Sequence, residues 1–411
     1  MNDEAPDEVF FREWARRGPG ERRSVTRARE VAAALDVLGQ GPPVLTVVGS
    51  KGKGTAATYA SATLGAAGLR VCTVTSPGLR SNRERIRLDG EAVSEAELRS
   101  LAKRVEQAVE GLPEGRDGYL SPAGLFLLAG VLHARDAAAD ALVLEAGMGG
   151  RSDEVALFPA DVVAITPVFG EHLGVLGDTP AEIAAEKAGV VAPGTTRAVL
   201  SAPQSGPVAR ALPAATEYAT GTGLPPRLLP DGLTRPSAAL GVTAASRLLD
   251  LRGLPRPSAE RLDAVLSTVA LPGRLSCHAL PGTSTEVLAD AAIDRTGVSA
   301  ALTAAHARWD GIDHVLLCLP DHKDLEGAVA ALAGLPVTYV RLPYDHLAFT
   351  RPLPAAWRVT GSESLTRESV AALGRRVLAL GTVYFVGLVL DLADAPTGVT
   401  WTSRPASGSG A

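Results

Sequence analysis

Residues 49–55 read Gly-Ser-Lys-Gly-Lys-Gly-Thr, directly after an apolar run at 44–48 and directly before a helix-forming stretch. Such a loop can cradle phosphate, because backbone N–H groups around Gly52 and Gly54 can point inward and glycine permits close approach. Lys53 would supply a positive charge to β- and γ-phosphates, and Thr55 a hydroxyl to Mg2+. Gly49, Ser50 and Lys51 complete the cradle. The loop is one residue shorter before Gly-Lys than the common Walker pattern, and Gly54 intervenes before Thr55. The plainer alternative is a glycine-rich connection between a strand and a helix.

Three further groups stand at the ends of predicted strands. Ser76 follows the strand at 71–75, Glu145 ends the strand at 141–145, and Glu171-His172 follow the strand at 161–166. In a parallel sheet ligands bind beyond the carboxyl ends of the strands. A hydroxyl, a carboxylate and an imidazole would therefore meet at the edge that holds a triphosphate, where they could hold Mg2+. Taken singly, Ser76 is equally a turn residue before Pro77, Glu145 a solvated strand-end carboxylate and His172 an ordinary loop histidine. Lys187 lies four residues after Ile183 and three before Val190, on the apolar face of its helix. A buried ammonium is costly unless paired or neutralised. A carbamate, formed by CO2 on the neutral amine, would answer that cost and bind a second Mg2+; a lysine reaching solvent from the helix end would answer it too.

The elements that must position these residues alternate between apolar β-type runs and helices, the pattern of a parallel-sheet α/β protein. Strands are predicted at 44–48, 71–75, 141–145, 161–166 and 197–200. Asp89-Gly90 mark a hairpin turn, and Ser94 with Glu97 mark a helix start. Residues 203–237 read as irregular chain, followed by helices at 239–252 and 258–268. Leu271-Pro272-Gly273 read as a hinge. A second series follows: strand 285–290, helix 298–308, strand 313–319, helix 324–333, strand 336–341, helix 365–378 and strand 383–389. The final residues, 398–411, read as a mobile tail.

The chain has 411 residues, enough for two domains. A net charge of −5 gives no basic field for nucleic acid. No apolar run is long enough to span a bilayer, and the acidic start is unlike a signal peptide. The three cysteines lie far apart without metal-site spacing. These features lead us to expect a cytoplasmic, monomeric protein that works on small molecules.

The motifs resemble the Mur ligase superfamily, in its folylpolyglutamate synthase/dihydrofolate synthase branch. GSKGKGT at 49–55 is similar to that family's GTNGKGS, and the segment at 75–98 to its TSPHL…ERI…NG…IS. LEAGMGGRSD at 144–153 is similar to VEVGLGGRLD, and the segment at 171–194 to DHTxxLGxTxxxIAxEKAGIxKxG. LPGR at 271–274, PDHKD at 320–324 and GTVYFVG at 381–387 resemble its WPGR, DKD and GSLYLVG segments. The resemblance implies a P-loop ATPase domain over 1–270, a hinge at 271–274 and a smaller Rossmann-like α/β domain over 275–397. It implies ATP on Lys53 and Thr55, Mg2+ on Thr55, Ser76, Glu145 and His172, and a carbamate on Lys187 for the second Mg2+. Lys53, His172 and Lys187 would serve catalysis, and Arg274 and Asp290 would contact the nucleotide when the domains close. The implied chemistry is ATP-dependent amide synthesis through an acyl phosphate.

The departures fall on substrate-facing segments. Gly78 stands in place of the family's His, and residues 152–156 lack its Asn. The helix at 120–126 lacks its Glu and Thr, Glu171 replaces Asp, and Ser237 stands in place of an adenine-side Asn. Residues 290–295, Asp-Ala-Ala-Ile-Asp-Arg, replace DGAHNP. The leading expectation is therefore an acid–amine ligase acting on a non-folate carboxylic acid with an amino acid or amine. The alternatives are a dihydrofolate/folylpolyglutamate synthase adding L-glutamate, and an inactive nucleotide-binding protein that acts through a partner.

Overall fold

The apolar runs of the sequence become the inner strands of two sheets. A computed structural model describes residues 7–39, 41–112, 118–219, 221–321, 323–344 and 347–403. His322 of the PDHKD segment and residues 404–411 of the expected tail lie outside the described residues. The chain divides into two units, residues 1–270 with 398–411, and residues 271–397.

The first unit holds β1 (Val44–Val48), β2 (Val71–Val74), β3 (Ile86–Leu88), β4 (Glu91–Ala92), β5 (Ala141–Glu145), β6 (Val162–Ile165), β7 (Ala198–Ser201) and β8 (Glu217–Tyr218). They form one sheet in the order β4-β3-β2-β5-β1-β6-β7-β8. β2, β5, β1, β6, β7 and β8 run parallel, while β3 and β4 add an antiparallel hairpin. β1, β5 and β6 are buried on both faces, as continuous apolar strands in a helix-covered sheet must be. Asp89 and Gly90 both have positive φ, +51° and +85°, the geometry the Asp-Gly turn predicts. Ser94 and Glu97 form a reciprocal capping box at the start of the helix Glu95–Glu110. One core packs helices including Pro122–Asp136 on one side of the sheet. A second core packs Lys53–Ala66 and Arg235–Leu251 on the other.

The second unit holds β9 (Ser276–Ala279), β10 (Glu286–Asp290), β11 (His314–Cys318), β12 (Val337–Arg341), β13 (Arg358–Gly361) and β14 (Arg376–Gly381). Their order is β13-β12-β11-β14-β10-β9, parallel except for the edge strand β9. The α/β class with parallel-dominated sheets is as the sequence predicts.

Several expectations need correction. Residues 383–389 are not a strand but part of the helix Val383–Leu392. Thr382 caps it by accepting from Phe385 N–H, and because its less buried positions Val383, Tyr384 and Leu388 are also apolar or aromatic, the run reads like a buried strand. The strand lies just before it, as β14, and the helix expected at 365–378 shrinks to Arg367–Ala371. The stretch 203–237 contains a short helix, Gly206–Ala211. The expectation of a mobile tail fails for its described part. Val399 bridges Glu91, Thr402 N–H donates to Thr268 Oγ1 at 3.0 Å, and Ala270 N–H donates to Thr400 O at 2.8 Å. Trp401 is 2% exposed, and its Nε1 donates to Ser61 Oγ at 3.1 Å. Its ring lies so close to the helix Lys53–Ala66 that a Cβ on Gly65 would stand 2.2 Å from it. One large aromatic thus anchors a segment whose Ser, Gly and Pro content suggests disorder.

Candidate active site

The phosphate loop joins β1 to the helix Lys53–Ala66, so that helix points its free N–H groups at the loop. Gly52 is the N-cap, at φ +83°, a conformation that a side chain resists. Ser50 ties the loop to the segment after β6: its N–H donates to Pro167 O at 3.0 Å, and its Oγ accepts from Phe169 N–H at 3.2 Å. The Lys51 ammonium lies 5.9 Å from the Phe169 ring centre. Lys53 Nζ donates to the carbonyls of Gly49 and Ser50, at 3.1 and 3.3 Å.

Lys187 reaches the same carbonyl from the helix Pro180–Ala188. Its Nζ donates to Gly49 O at 2.8 Å and to Glu171 Oε1 at 2.9 Å, and its side chain is 1% exposed. Two lysines from different helices therefore meet at one oxygen of the phosphate loop. Lys187 is thus buried and paired, and it does not reach solvent. Burial and then the Lys53 charge push the Lys187 amine below the ordinary lysine range, while Glu171 pulls it back. For Glu171, burial acts upward, but Lys53, Lys187 and His172 together hold the carboxyl below its usual range. His172 is exposed and has φ +51°, a conformation uncommon outside glycine.

Glu145 ends β5, paired with Val47 of β1, and is 7% exposed. Its Oε2 accepts from Ser76 N–H at 3.1 Å, and a Cβ on Gly54 would stand 3.5 Å from the same atom. Ser76 Oγ accepts from Arg85 Nη1 at 3.0 Å. Thr55 Oγ1 is buried and has no hydrogen-bond partner among the described residues. An orphaned hydroxyl one residue from a buried carboxylate's neighbour is what a hard cation would satisfy, so these residues fit Mg2+.

Arg274 and Asp290 lie together in the second unit. Asp290 ends β10, and its Oδ2 accepts from Leu275 N–H at 2.8 Å. Arg274 Nη1 approaches Gly273 O at 3.4 Å. Asp294 caps the helix Arg295–Arg308 by accepting from Gly297 N–H at 2.8 Å, and Ile293 packs against the core. Ser237 is buried against Gly52. Sequence reasoning missed Arg23, which binds the loop after Glu145. Its only signal is an unpaired-looking basic residue far upstream of Asp153 and Glu154.

No protein-family model matches the chain. It is 36% identical to a Haemophilus influenzae dihydrofolate synthase/folylpolyglutamate synthase over 165 residues, 40% of this chain and 36% of that protein. It is 34% identical to the Mycobacterium tuberculosis enzyme of the same name over 178 residues, 41% of this chain and 36% of that one. The matched stretch thus spans just over a third of these relatives. Solved structures match over nearly the whole length. Mycobacterium tuberculosis folylpolyglutamate synthase complexed with ADP aligns at TM-score 0.77 and 22% identity, covering 94% of this chain and 98% of that one. Escherichia coli FolC in complex with DHPP and ADP aligns at TM-score 0.74 and 23% identity, covering 96% and 98%. Over part of its length the sequence is similar to dihydrofolate synthase/folylpolyglutamate synthases, and over most of its length the fold is that of the solved folylpolyglutamate synthase structures.

Proposed function

We propose that the chain is an ATP-dependent ligase of the folylpolyglutamate synthase/dihydrofolate synthase type, joining L-glutamate to a folate-class acid. The observation that carries this is the meeting of Lys53 and Lys187 on the Gly49 carbonyl, with Glu145 against the next turn of the loop. In this reading an acid's carboxylate oxygen attacks the γ-phosphorus of ATP, the bond to ADP breaks, and an acyl phosphate forms. The amine then attacks the acyl carbon, phosphate leaves, and the amine's proton passes to solvent. Lys53 stabilises charge on the transferred phosphoryl group. Thr55, Ser76, Glu145 and His172 are proposed to hold Mg2+, and the carbamate of Lys187 a second ion. Mg2+ supplies charge neutralisation and alignment of the phosphates. Arg274 and Asp290 are proposed nucleotide contacts on the second unit.

The names of the relatives favour the glutamate-adding alternative over the non-folate acid that the sequence first suggests. A non-folate acid or a different amine keeps support from one place. Asp294 is occupied as a helix cap and the half-buried Ile293 packs against the core, so 290–295 offers fewer polar groups than the family segment. The inactive alternative is disfavoured by the intact lysine pair and Glu145. The deciding assay measures phosphate release from ATP with dihydropteroate, reduced folates and non-folate acids, with and without glutamate. We expect release to require a folate-class acid and glutamate together. Release with no acid at all would sink the ligase reading; release only with non-folate acids would sink the folate assignment.

A further inference from the structure

We propose that Arg23 is a positioning residue for the glycine-rich loop 146–152, which links Glu145 to the helix carrying Lys187; the functional part of this rests on the ligase reading above. The Arg23 side chain is 11% exposed, and its Nη1 lies 3.1 Å from Asp153 Oδ2 and 3.3 Å from Glu154 Oε2. Its Nη2 donates to the carbonyl of Met148. Asp153 Oδ2 in turn accepts from Met148 N–H at 2.8 Å. The Arg23–Asp153 pair therefore grips both the N–H and the carbonyl of one residue in the middle of the loop. Glu154 fixes the far side by accepting from Ser121 Oγ at 2.7 Å, at the start of the helix Pro122–Asp136.

The other flank of the loop is tied to the helix Pro180–Ala188. Arg151 N–H donates to Glu186 O at 3.0 Å, and Ser152 N–H donates to Glu186 Oε1 at 2.8 Å. Glu186 is the neighbour of Lys187, and the loop begins at the residue after Glu145. A shift of the loop is thus transmitted to both groups. One guanidinium faces two buried carboxylates, and burial and the neighbouring Asp153 push the Glu154 carboxyl up, so Arg23 is the ion-pair partner on which the cluster rests. Arg23 is held by Asp153, Glu154 and the Met148 carbonyl, so it acts through the loop.

The test replaces Arg23 by Met and reads two properties. Amide exchange in 146–152 should speed up by about tenfold or more as the grip on Met148 is lost. Mn2+ binding in the presence of ADP, followed by electron paramagnetic resonance, should weaken by about tenfold, the scale seen when groups that orient metal ligands are removed. Because two unbalanced carboxylates can prevent folding, the triple variant R23M/D153N/E154Q provides a neutral cluster of similar volume. It should fold and still show both effects. A folded variant with unchanged loop exchange overturns the proposal, as does faster exchange with unchanged Mn2+ binding. Failure of the ligase reading is seen separately, as wild-type protein that binds Mn2+ and ADP but shows no acid-dependent phosphate release.

Discussion

At the scale of single residues the site is a problem in placing two cations at one carbonyl. Lys53 and Lys187 both donate to Gly49 O, and Lys187 also donates to a carboxylate, Glu171. If Lys53 serves the transferred phosphoryl group as proposed, replacing it by Ala should lower ATP turnover by at least about 100-fold. Wild-type ADP release by that variant would contradict the phosphate-loop assignment. Lys187→Ala removes the hydrogen-bonded partner of the half-buried Glu171 while Lys53 and His172 remain nearby, and should cost about 1–3 kcal/mol of stability as well as activity. If Lys187 works as a carbamate, short carboxylates added to the folded variant should restore part of its phosphate release. Full activity without any addition would remove Lys187 from the mechanism.

At the scale of elements, the helix Lys53–Ala66 serves two masters: its first turn faces the phosphate loop and its last turn receives Trp401. Trp401→Ala should destabilise the protein by about 3–5 kcal/mol, read from denaturant unfolding, because it empties a fully packed site. Gly65→Ala should destabilise it too, since the added carbon meets the indole ring. The helix Pro122–Asp136 carries a pH response. Burial pushes the His133 imidazole below its ordinary 6.5, against the pull of Glu97 and Asp136. The unfolded chain then takes up a proton more readily than the folded one. Stability should fall as the pH drops through 6.5 and level off below the folded value. Comparing unfolding midpoints between about pH 5 and 8, His133→Gln should flatten that slope; an unchanged slope would assign it to another group.

These elements also mark how far the sequence could be read. The central strands, the Asp89-Gly90 turn and the Ser94–Glu97 box are local patterns, and the structure has them where the residues place them. The helix Val383–Leu392 was hidden because its less buried positions Val383, Tyr384, Leu388 and Leu392 carry no polar stripe to distinguish helix from strand. The Trp401 anchor and the Arg23 cluster were hidden for another reason. Each is a contact between residues distant in the chain, and neither partner has a telling neighbour in sequence. Lys187 was half legible. Its apolar face was plain, but its partners Gly49 O and Glu171 appear only once the loop and helix are folded together.

At the scale of the whole molecule, the return of residues 398–403 makes the second unit an insertion into the first. The chain leaves the first unit at Ala270 and re-enters it at Gly398, and Ala270 N–H donates to Thr400 O at 2.8 Å. The exit and the re-entry are therefore hydrogen-bonded neighbours. An inserted unit with adjacent ends can be removed with little change in the loop entropy of the remainder. Joining Ala270 to Gly398 through a short Gly-Ser linker should give a first unit that folds alone, since its sheet, both of its cores and the Trp401 anchor lie outside 271–397. With Trp14 replaced by Phe, Trp401 is the sole tryptophan of that protein. Its emission should be that of a buried indole and should shift to the red in one cooperative step with denaturant. A red-shifted emission in buffer, or a gradual change without a transition, would show that the first unit needs the inserted residues to fold.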